Sequence, residues 1–512
     1  MSNDRSSSIQ RRLPVTRATG PRMGARHELP RVYRRADLIV LALGVMIGAG
    51  IFSIAGRQAA TVAGPGVILS FMIAAIAILL AALCYAELSS TMPTAGSAYS
   101  FTYVIFGEVW AWIIGLALIL NMQLAAAVVA RAWSLYAAQT LDDLGIGVPA
   151  LLAGVVGQVE GFDLFTLFIL ALLTLIVAGG ARIGLRALWI IVTAKLLAIG
   201  AVIAVGAAYF TPANLEDIPA PVRAPQGDGD VQSTVLGLVL GDTHVFGWFG
   251  IFAAAPAIAF AYIGWDIIAT AAEETPDAPR TIPQGMIRGL VFATVIYIAV
   301  AVVMVGMVPY TEMDPDAPLT DAFRQVGEGF MVHVINIGAV LGLTTVILVL
   351  LVGQTRVLFS MARDGLLPRG LAVVNRQYRT PSRATLVIGL VALVLAETVP
   401  VFTLEQLVVM GALFAFLFVA AGVIVMRRTM PDLPRGFSVP LSPLVPALSI
   451  VSSLWLMLNL RVDTWFYFAV WMGAGLAVYL LYGRHRSMLA PDAPGYASPR
   501  REAERGAGRH RR

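Results

Sequence analysis

The amino-acid sequence predicts an all-α polytopic membrane protein with about twelve transmembrane helices. Hydrophobic residues make up 58% of the 512-residue chain and charged residues 13%, whereas soluble domains carry about a quarter charged residues. Apolar runs of about 18 residues or more recur along the chain, and each is long enough to cross a hydrocarbon core of about 30 Å as a helix. We number these runs segments 1 to 12: 37–62, 66–88, 98–139, 163–179, 187–209, 246–272, 286–309, 329–358, 384–400, 404–426, 441–460 and 464–482.

The distribution of arginine predicts the orientation of these segments. Nine arginines precede Asp37, and cytoplasmic loops carry an excess of basic residues. If this tail is cytoplasmic, the later basic loops fall on the same side, which predicts a multi-pass plasma-membrane protein with both termini in the cytoplasm. The basic loop positions are Arg182, Arg186, Arg280, Arg288, 356 through 383, Arg427, Arg428 and Arg435. The acidic positions on the opposite side include Asp142, Asp143, Glu216, Asp217, Asp228, Asp230, Asp314, Asp316 and Asp321.

This asymmetry also accounts for the net charge of +5, so nucleic-acid binding is not predicted. The Arg- and Ser-rich start resembles a transit peptide in composition, but a disordered cytosolic tail agrees with every later loop. The chain then divides into a cytoplasmic N-terminal tail (1–36), a transport core of ten segments (37–426), segments 11 and 12 (427–483) and a cytoplasmic C-terminal tail (484–512).

The sequence carries no pattern typical of an enzyme or a metalloprotein. Cys84 is the only cysteine, and the five histidines show no paired ligand spacing, so neither a disulfide framework nor a metal site is predicted. No nucleophile–base pair appears, and no cofactor is expected. The longest loop, about 210 to 245, is too short for a soluble domain. Function is therefore expected within the membrane core.

Segments 1 and 6 both contain helix-breaking residues near their middle. Segment 1 carries LGVMIGAGIFSIAG (43–56), and segment 6 carries Pro256 and Gly264. Each glycine costs a helix interior about 1 kcal/mol relative to alanine. The two segments are equivalent members of two five-segment units, and because five is odd the second unit is inverted. Paired interruptions of this kind indicate the binding site of a secondary transporter; the alternative for Gly44 and Gly48 is a GxxxG packing face.

Two interrupted helices would expose backbone groups that suit one small zwitterion. Freed N–H groups at a half-helix N-terminus bind a carboxylate, and freed carbonyls accept from an ammonium group. The predicted carboxylate side consists of Ile47, Gly48, Ala49 and Gly50. The predicted ammonium side consists of the carbonyls near Phe260, Ala261 and Ile263.

Lys195 is the only lysine, since the other 35 basic side chains are arginines. It lies about nine residues into segment 5, roughly 12 Å from the cytoplasmic end at about 1.5 Å per residue. Arginine stays protonated in proteins, whereas a desolvated lysine can release its proton near neutral pH. Lys195 is therefore the predicted proton carrier; the alternative is a lysine that snorkels or pairs silently.

Three other charged residues lie within the predicted segments. Glu108 and Arg131 fall in segment 3, and Asp266 falls in segment 6. Charges inside a membrane are costly and are therefore functional candidates. Glu108 and Asp266 lie near segment ends, which favours interfacial anchors or gate latches for these two.

Several long motifs resemble the amino acid–polyamine–organocation superfamily, and specifically its cationic amino acid transporter branch. The resemblance covers about Ala36 to Met426, and segments 11 and 12 resemble the extra pair of helices in this branch. The motifs are GVMIGAGIFSIAG (44–56), AGPGVILSFMIAA (63–75), CYAELSSTMPTAGSAYSFTYV (84–104), VARAWSLY (129–136), AFAYIGWDIIATAAEETPDAPRTIP (259–283) and GLTTVILVLLVGQTRVLFSMARDGLLP (342–368), together with the lysine of segment 5.

This resemblance implies the LeuT-like 5+5 inverted repeat and alternating access around a mid-membrane site. It implies that Ala49 and Gly50, with Ile47 beside them, hold a substrate carboxylate. Phe260 would cover the substrate, and Ala261, Ile263 and Gly264 would form the carbonyl side. Lys195 would occupy the place that sodium takes in sodium-coupled relatives, with Thr344 and Thr345 near it. Glu273, Glu274, Arg363 and Asp364 would belong to cytoplasmic motifs that govern the inner gate.

The implied function is a permease for L-amino acids, with proton-coupled symport by alternating access. Some cationic transporters carry a glutamate where this chain has Arg57, and some bacterial relatives carry a carboxylate at the position of Asn121. Both differences remove negative charge that would attract a cationic side chain, so a cationic substrate and a neutral or broad range both stay open. The alternatives are an obligate amino acid exchanger and, less favoured, a membrane sensor that binds without transport.

Overall fold

The computed structural model describes residues 11–15, 33–48, 50–147, 154–158, 161–180, 185–216, 218–223, 234–240, 244–315, 317–375, 377–378 and 380–490. Most of these residues are helical. Within this part of the chain, eight helices are long and apolar enough to cross a membrane. Two shorter apolar helices, Leu164–Ala178 and Leu444–Leu458, join them. The prediction of an all-α polytopic membrane protein is confirmed; the number of twelve crossings and the inverted repeat stay predictions.

The segments have the following helical bounds. Segment 1 comprises Arg35–Met46, Gly50–Ile54, Ala55–Gln58 and Ala59–Ala63; segment 2, Val67–Thr91; segment 3, Ala98–Ile105 and Glu108–Asp143; segment 4, Leu164–Ala178; segment 5, Leu185–Gly206; segment 6, Gly247–Tyr262 and Ile267–Thr270. Segment 7 is Ala278–Met307; segment 8, Gly329–Arg363; segment 9, Ser382–Thr398; segment 10, Val401–Thr429; segment 11, Leu444–Leu458; segment 12, Val462–Val478 with Tyr479–Gly483 and Arg484–Arg486.

The connections contain short elements. The α-helices are Ala213–Glu216, Val235–Leu240 and Pro318–Gln325, and the 3₁₀ turns are Gly64–Gly66, Ala207–Tyr209, Ala272–Glu274, Tyr310–Glu312 and Arg369–Ala372. Two-residue strands, Val222–Arg223 and His244–Val245, pair antiparallel. Segment 3 differs from its predicted single span because Gly107, at φ +108°, turns the chain before Glu108. Glu108 therefore begins a helix rather than lying inside one.

Segment 3 lies at the centre of the molecule. It packs along segment 8 and also along segment 10. In its most apolar stretch 89% of the residues are buried, compared with 22% in segment 12 and 28% in segment 5. The exposed apolar side chains of segments 5 and 12 form an outer surface that suits lipid.

The two described ends of the chain meet at one end of the helix bundle, which we call the tail face. Residues 11–15 contact the start of segment 3, where the Glu108 N–H donates to Arg11 O (2.9 Å). Residues 484–490 lie beside them, and the Met488 N–H donates to Asp364 O (2.9 Å). We call the other end of the helix bundle the opposite face. Of the loop charges that predict orientation, seven lie outside the described residues: Arg182, Asp217, Asp228, Asp230, Asp316, Arg376 and Arg379.

Candidate functional site

Segment 1 is interrupted at its glycine cluster. Its first helix ends at Met46, and Ile47 adopts an extended conformation (φ −75°, ψ 92°). A π-helical turn begins at Gly50. A Cβ atom at Gly50 would overlap the backbone of Ala261 in segment 6. Close packing and interruption, the two alternatives for the glycines, therefore occur together.

The interruption of segment 1 leaves two backbone N–H groups available. Those of Gly48 and Gly50 have no hydrogen-bond partner within the described ranges. The Ile47 N–H, in contrast, donates to Leu43 O (3.1 Å). Ile47 cannot offer this N–H to a carboxylate in this conformation, which corrects the expectation for that residue. Ala49, the remaining predicted donor, lies outside the described residues.

Segment 6 is interrupted after Tyr262. Ile263 is extended (φ −65°, ψ 140°), and Gly264 takes φ +117°, a conformation that L side chains rarely adopt. Helix resumes at Ile267. Pro256 lies inside the first helix without ending it. Glycine, and not proline, therefore marks the break.

Tyr297 of segment 7 connects the two interruptions. Its hydroxyl contacts both Met46 O and Ala261 O, the latter at 2.9 Å. A hydroxyl donates only one hydrogen bond at a time, so the two carbonyls share a single donor. The Ala261 carbonyl, predicted to meet a substrate ammonium, therefore already accepts one hydrogen bond, and the Phe260 carbonyl likewise accepts one from the Ile263 N–H (3.1 Å). Because a carbonyl oxygen has two lone pairs, the carbonyls of Phe260, Ala261 and Ile263 all stay candidate acceptors for an ammonium group.

A small cavity lies between the interruptions, with about 20 Å³ of space for the centres of water-sized molecules. This is room for about one water molecule, so the cavity must widen to hold an amino acid. Its wall contains only glycine and apolar side chains, and all ten lining residues are buried. Four of its residues were predicted from sequence: Gly48, Gly50, Phe260 and Ile263. Six were not: Val45, Met46, Ala125, Val129, Val346 and Leu350.

Two predicted supporting residues lie away from this wall. Asn121 is buried beneath segment 10, where a Cβ added at Gly411 would lie 3.3 Å from the Asn121 Cβ. Thr344 accepts a hydrogen bond from Trp133 Nε1 (2.8 Å) and donates to Val340 O (2.7 Å). Neither residue is among those that line the cavity.

Lys195 lies directly behind the interruption of segment 1. Its side chain is fully buried, and Nζ donates to Gly44 O (2.7 Å) and Ile47 O (3.0 Å). Thr345 Oγ1 is 3.5 Å from Nζ; its hydroxyl donates to Gly342 O (2.6 Å) and lies 3.3 Å from Gly44 O. These carbonyls form the C-terminal end of the first helix of segment 1, where a cation is stabilised by the helix dipole. No carboxylate in the described part of the chain pairs with Lys195.

Ion pairs close the bundle at both faces. On the tail face, Arg363 pairs with Glu273 (3.2 Å) and Arg356 pairs with Glu274 (2.8 Å). These two tail-face ion pairs join the end of segment 8 to the stretch after segment 6. On the opposite face, Arg57 of segment 1 pairs with Glu405 of segment 10 (3.3 Å). On each face, the ion pairs therefore join an interrupted segment, or the stretch that directly follows one, to a segment without an interruption.

Comparison with known proteins gives one family and several close relatives. The family model described as amino acid permease matches residues 35–480. The chain is 40% identical to the branched-chain amino acid permease BcaP of Bacillus subtilis, over 88% of this chain and 93% of that protein. It is 37% identical to the methylthioribose transporter of the same organism, over 94% and 99%. It is 36% identical to the vacuolar cationic amino acid transporter 2 of Arabidopsis thaliana, over 83% and 64%.

Proposed function

The chain belongs to the amino acid permease family, and from this premise we propose that it moves L-amino acids with apolar side chains across the plasma membrane by proton-coupled symport. The observation that carries this proposal is the buried, apolar cavity between the two interruptions. The tail face would be cytoplasmic, as the arginine distribution predicts.

The backbone around the cavity suits the part that all amino acids share. The N–H groups of Gly48 and Gly50, which have no partner among the described residues, suit a carboxylate. The carbonyls of Phe260, Ala261 and Ile263 suit an ammonium group, and Phe260 lines the same space. Because one face donates and the other accepts, a zwitterion is bound in one orientation.

The lining side chains favour an apolar substrate. Ala125 and Val129 of segment 3 face Val346 and Leu350 of segment 8 across the cavity wall. A cationic side chain in this space would lack a carboxylate partner, and an unpaired buried charge is costly. Of the substrates left open, neutral aliphatic amino acids therefore suit this cavity better than cationic ones. The relative named as a branched-chain permease supports this choice, and the relative named as a cationic transporter provides the competing expectation.

Lys195 is the proposed coupling residue. Its ammonium bonds hold Gly44 O and Ile47 O at the end of the first helix of segment 1. Loss of its proton would remove the charge at that helix end and weaken both bonds. Segment 1 would then be free to rearrange, which links the proton to the opening of the cavity.

A second candidate function is obligate exchange. Three acceptors surround Lys195 Nζ, and this full set of partners also suits a lysine that keeps its charge throughout the cycle. In an exchanger of this kind, Lys195 would act as a fixed cation that stabilises the interruption.

Transport by purified protein in vesicles tests the proposal and separates the two candidates. A symporter accumulates leucine into vesicles that contain no amino acid when an inward proton gradient is imposed. An exchanger takes up leucine only when amino acid is present inside, whatever the gradient. Binding of leucine without uptake under either condition would contradict both and favour a sensor.

A further inference from the structure

Residues 11–15, which we call the tail clasp, are docked on the tail face although they lie 20 residues or more before segment 1. Leu13 is only 2% exposed, and its N–H donates to Tyr103 O (3.3 Å). The Glu108 N–H donates to Arg11 O (2.9 Å), and Arg11 Nη1 lies 3.6 Å from Glu108 Oε1. The tail clasp is therefore held by a buried leucine, two backbone hydrogen bonds and an ion pair.

Glu108 is the centre of this docking surface. Its fully buried carboxylate accepts from the hydroxyls of Tyr479 (2.8 Å), Ser487 (2.5 Å) and Tyr103 (3.1 Å). Arg11 supplies the only ion pair to Glu108 that the described residues contain. A buried carboxylate needs such partners, and the proposed transport cycle assigns Glu108 no role. The surface is thus built to receive a basic residue from the tail.

A continuous set of contacts leads from the tail clasp to the tail-face ion pairs. Arg11 Nη1 also donates to Arg484 O (3.2 Å), at the start of residues 484–490. Within that stretch the Met488 N–H donates to Asp364 O, while the Asp364 carboxylate accepts from Tyr99 OH (2.8 Å). Asp364 directly follows Arg363, which pairs with Glu273. The docked tail clasp therefore braces the end of segment 8 that carries this ion pair.

We propose that the tail clasp is a detachable internal ligand of the tail face. When docked, it slows the opening of the cavity towards that face; when detached, it allows faster opening. Its contacts are few, and a typical hydrogen bond contributes only about 1 kcal/mol, so docking is reversible. The effect on transport rests on the proposed function, whereas docking itself does not.

Two truncations of the otherwise complete chain test this proposal. Removal of residues 2–15 deletes the tail clasp, and removal of residues 2–10 leaves it in place. We expect the longer truncation to increase leucine counterflow about three- to tenfold, which corresponds to the loss of one or two such contacts, and the shorter one to leave it unchanged. A synthetic peptide of residues 8–18 should return the longer truncation to the original rate, and the same peptide with Leu13→Asp should not.

Two further measurements separate docking from transport. Fluorescence anisotropy should detect peptide binding to the protein that lacks residues 2–15, and hydrogen exchange at the Arg363 end of segment 8 should be faster in that protein until the peptide is added. Arg11→Ala should reproduce the faster exchange, and Arg12→Ala, which alters an exposed neighbour, should not. Equal hydrogen exchange in the two truncations, or no peptide binding, would overturn the proposal. Docking without leucine transport by any variant would leave the docking intact and contradict the proposed function.

Discussion

At the scale of single residues, Lys195 differs chemically from every other basic side chain in the protein. It is buried and bonded to the carbonyls of Gly44 and Ile47. Arginine would keep its proton and would also need room, since the Lys195 Cδ already lies 3.5 Å from the Cβ position of Gly342. The predicted role of Lys195 therefore depends on its identity as well as its charge.

We expect Lys195→Arg to abolish proton-driven net uptake of leucine. The reason is that the guanidinium cannot release its proton. Uptake into vesicles under an imposed pH gradient measures the effect, and leucine binding by the same variant controls for folding. Normal gradient-driven uptake would count against Lys195 as the proton carrier.

Gly50 is expected to tolerate no side chain. A Cβ atom there meets the Ala261 backbone, and overpacking of this kind costs about 1–3 kcal/mol. Gly50→Ala should therefore lower the thermal midpoint by several degrees and reduce uptake about tenfold or more. Gly200→Ala is the matched control because a Cβ at Gly200 meets nothing within 4 Å; equal effects in the two variants would contradict the close approach of segments 1 and 6.

Tyr297 is expected to act through its hydroxyl. Tyr297→Phe removes the contact with Met46 O and Ala261 O and should weaken leucine binding about tenfold, as expected for one buried hydrogen bond. Tyr262→Phe is the control, since Tyr262 packs edge-on against Tyr297 but its hydroxyl donates to Phe71 O in segment 2. Isothermal titration with leucine measures both variants, and unchanged binding in Tyr297→Phe would remove this role.

Sequence reasoning found the residues whose type is unusual for their surroundings. Gly48, Gly50 and Lys195 are of this kind, because glycine and lysine are costly in an apolar helix. Val129 and Val346 line the same cavity but resemble the apolar residues of every segment, so only the packing of segments 3 and 8 distinguishes them. Tyr297 is the only tyrosine of segment 7, and a phenolic hydroxyl in an apolar stretch is a signal that the sequence analysis missed.

At the scale of elements, helix type was predictable and helix ends were not. Segment 7 begins at Ala278 rather than 286, and segment 8 continues to Arg363 rather than 358. Both extensions carry charged residues, which a hydropathy window excludes. They are helical because tertiary contacts stabilise them, as in the pairing of Arg363 with Glu273.

The ion pair between Arg363 and Glu273 is expected to depend on the opposite charges of its two residues. Arg363→Glu or Glu273→Arg alone places like charges together and should reduce leucine uptake about tenfold, as for the loss of a partly buried pair. The double exchange should restore uptake only in part, because Glu273 also accepts from the Ala95 N–H (3.0 Å) and an arginine cannot. A double variant no better than the single ones would show that the pair does not act through charge.

At the scale of the whole molecule, the apolar cavity predicts selective stabilisation by ligand. A ligand present at 100 times its Kd stabilises the native state by about 2.7 kcal/mol. Leucine, isoleucine and valine should therefore raise the thermal midpoint of the purified protein by a few degrees, and arginine and lysine should not. Stabilisation by arginine and lysine alone would restore the cationic assignment.

Because Lys195 is the only lysine, the protein can be labelled for spectroscopy at this one side chain. Cells grown on isotope-labelled lysine would incorporate the label at one side chain only. Every labelled side-chain signal in a magnetic resonance spectrum would therefore come from the proposed proton carrier. Titration of that one resonance would reveal directly whether the nitrogen gains and loses its proton during turnover.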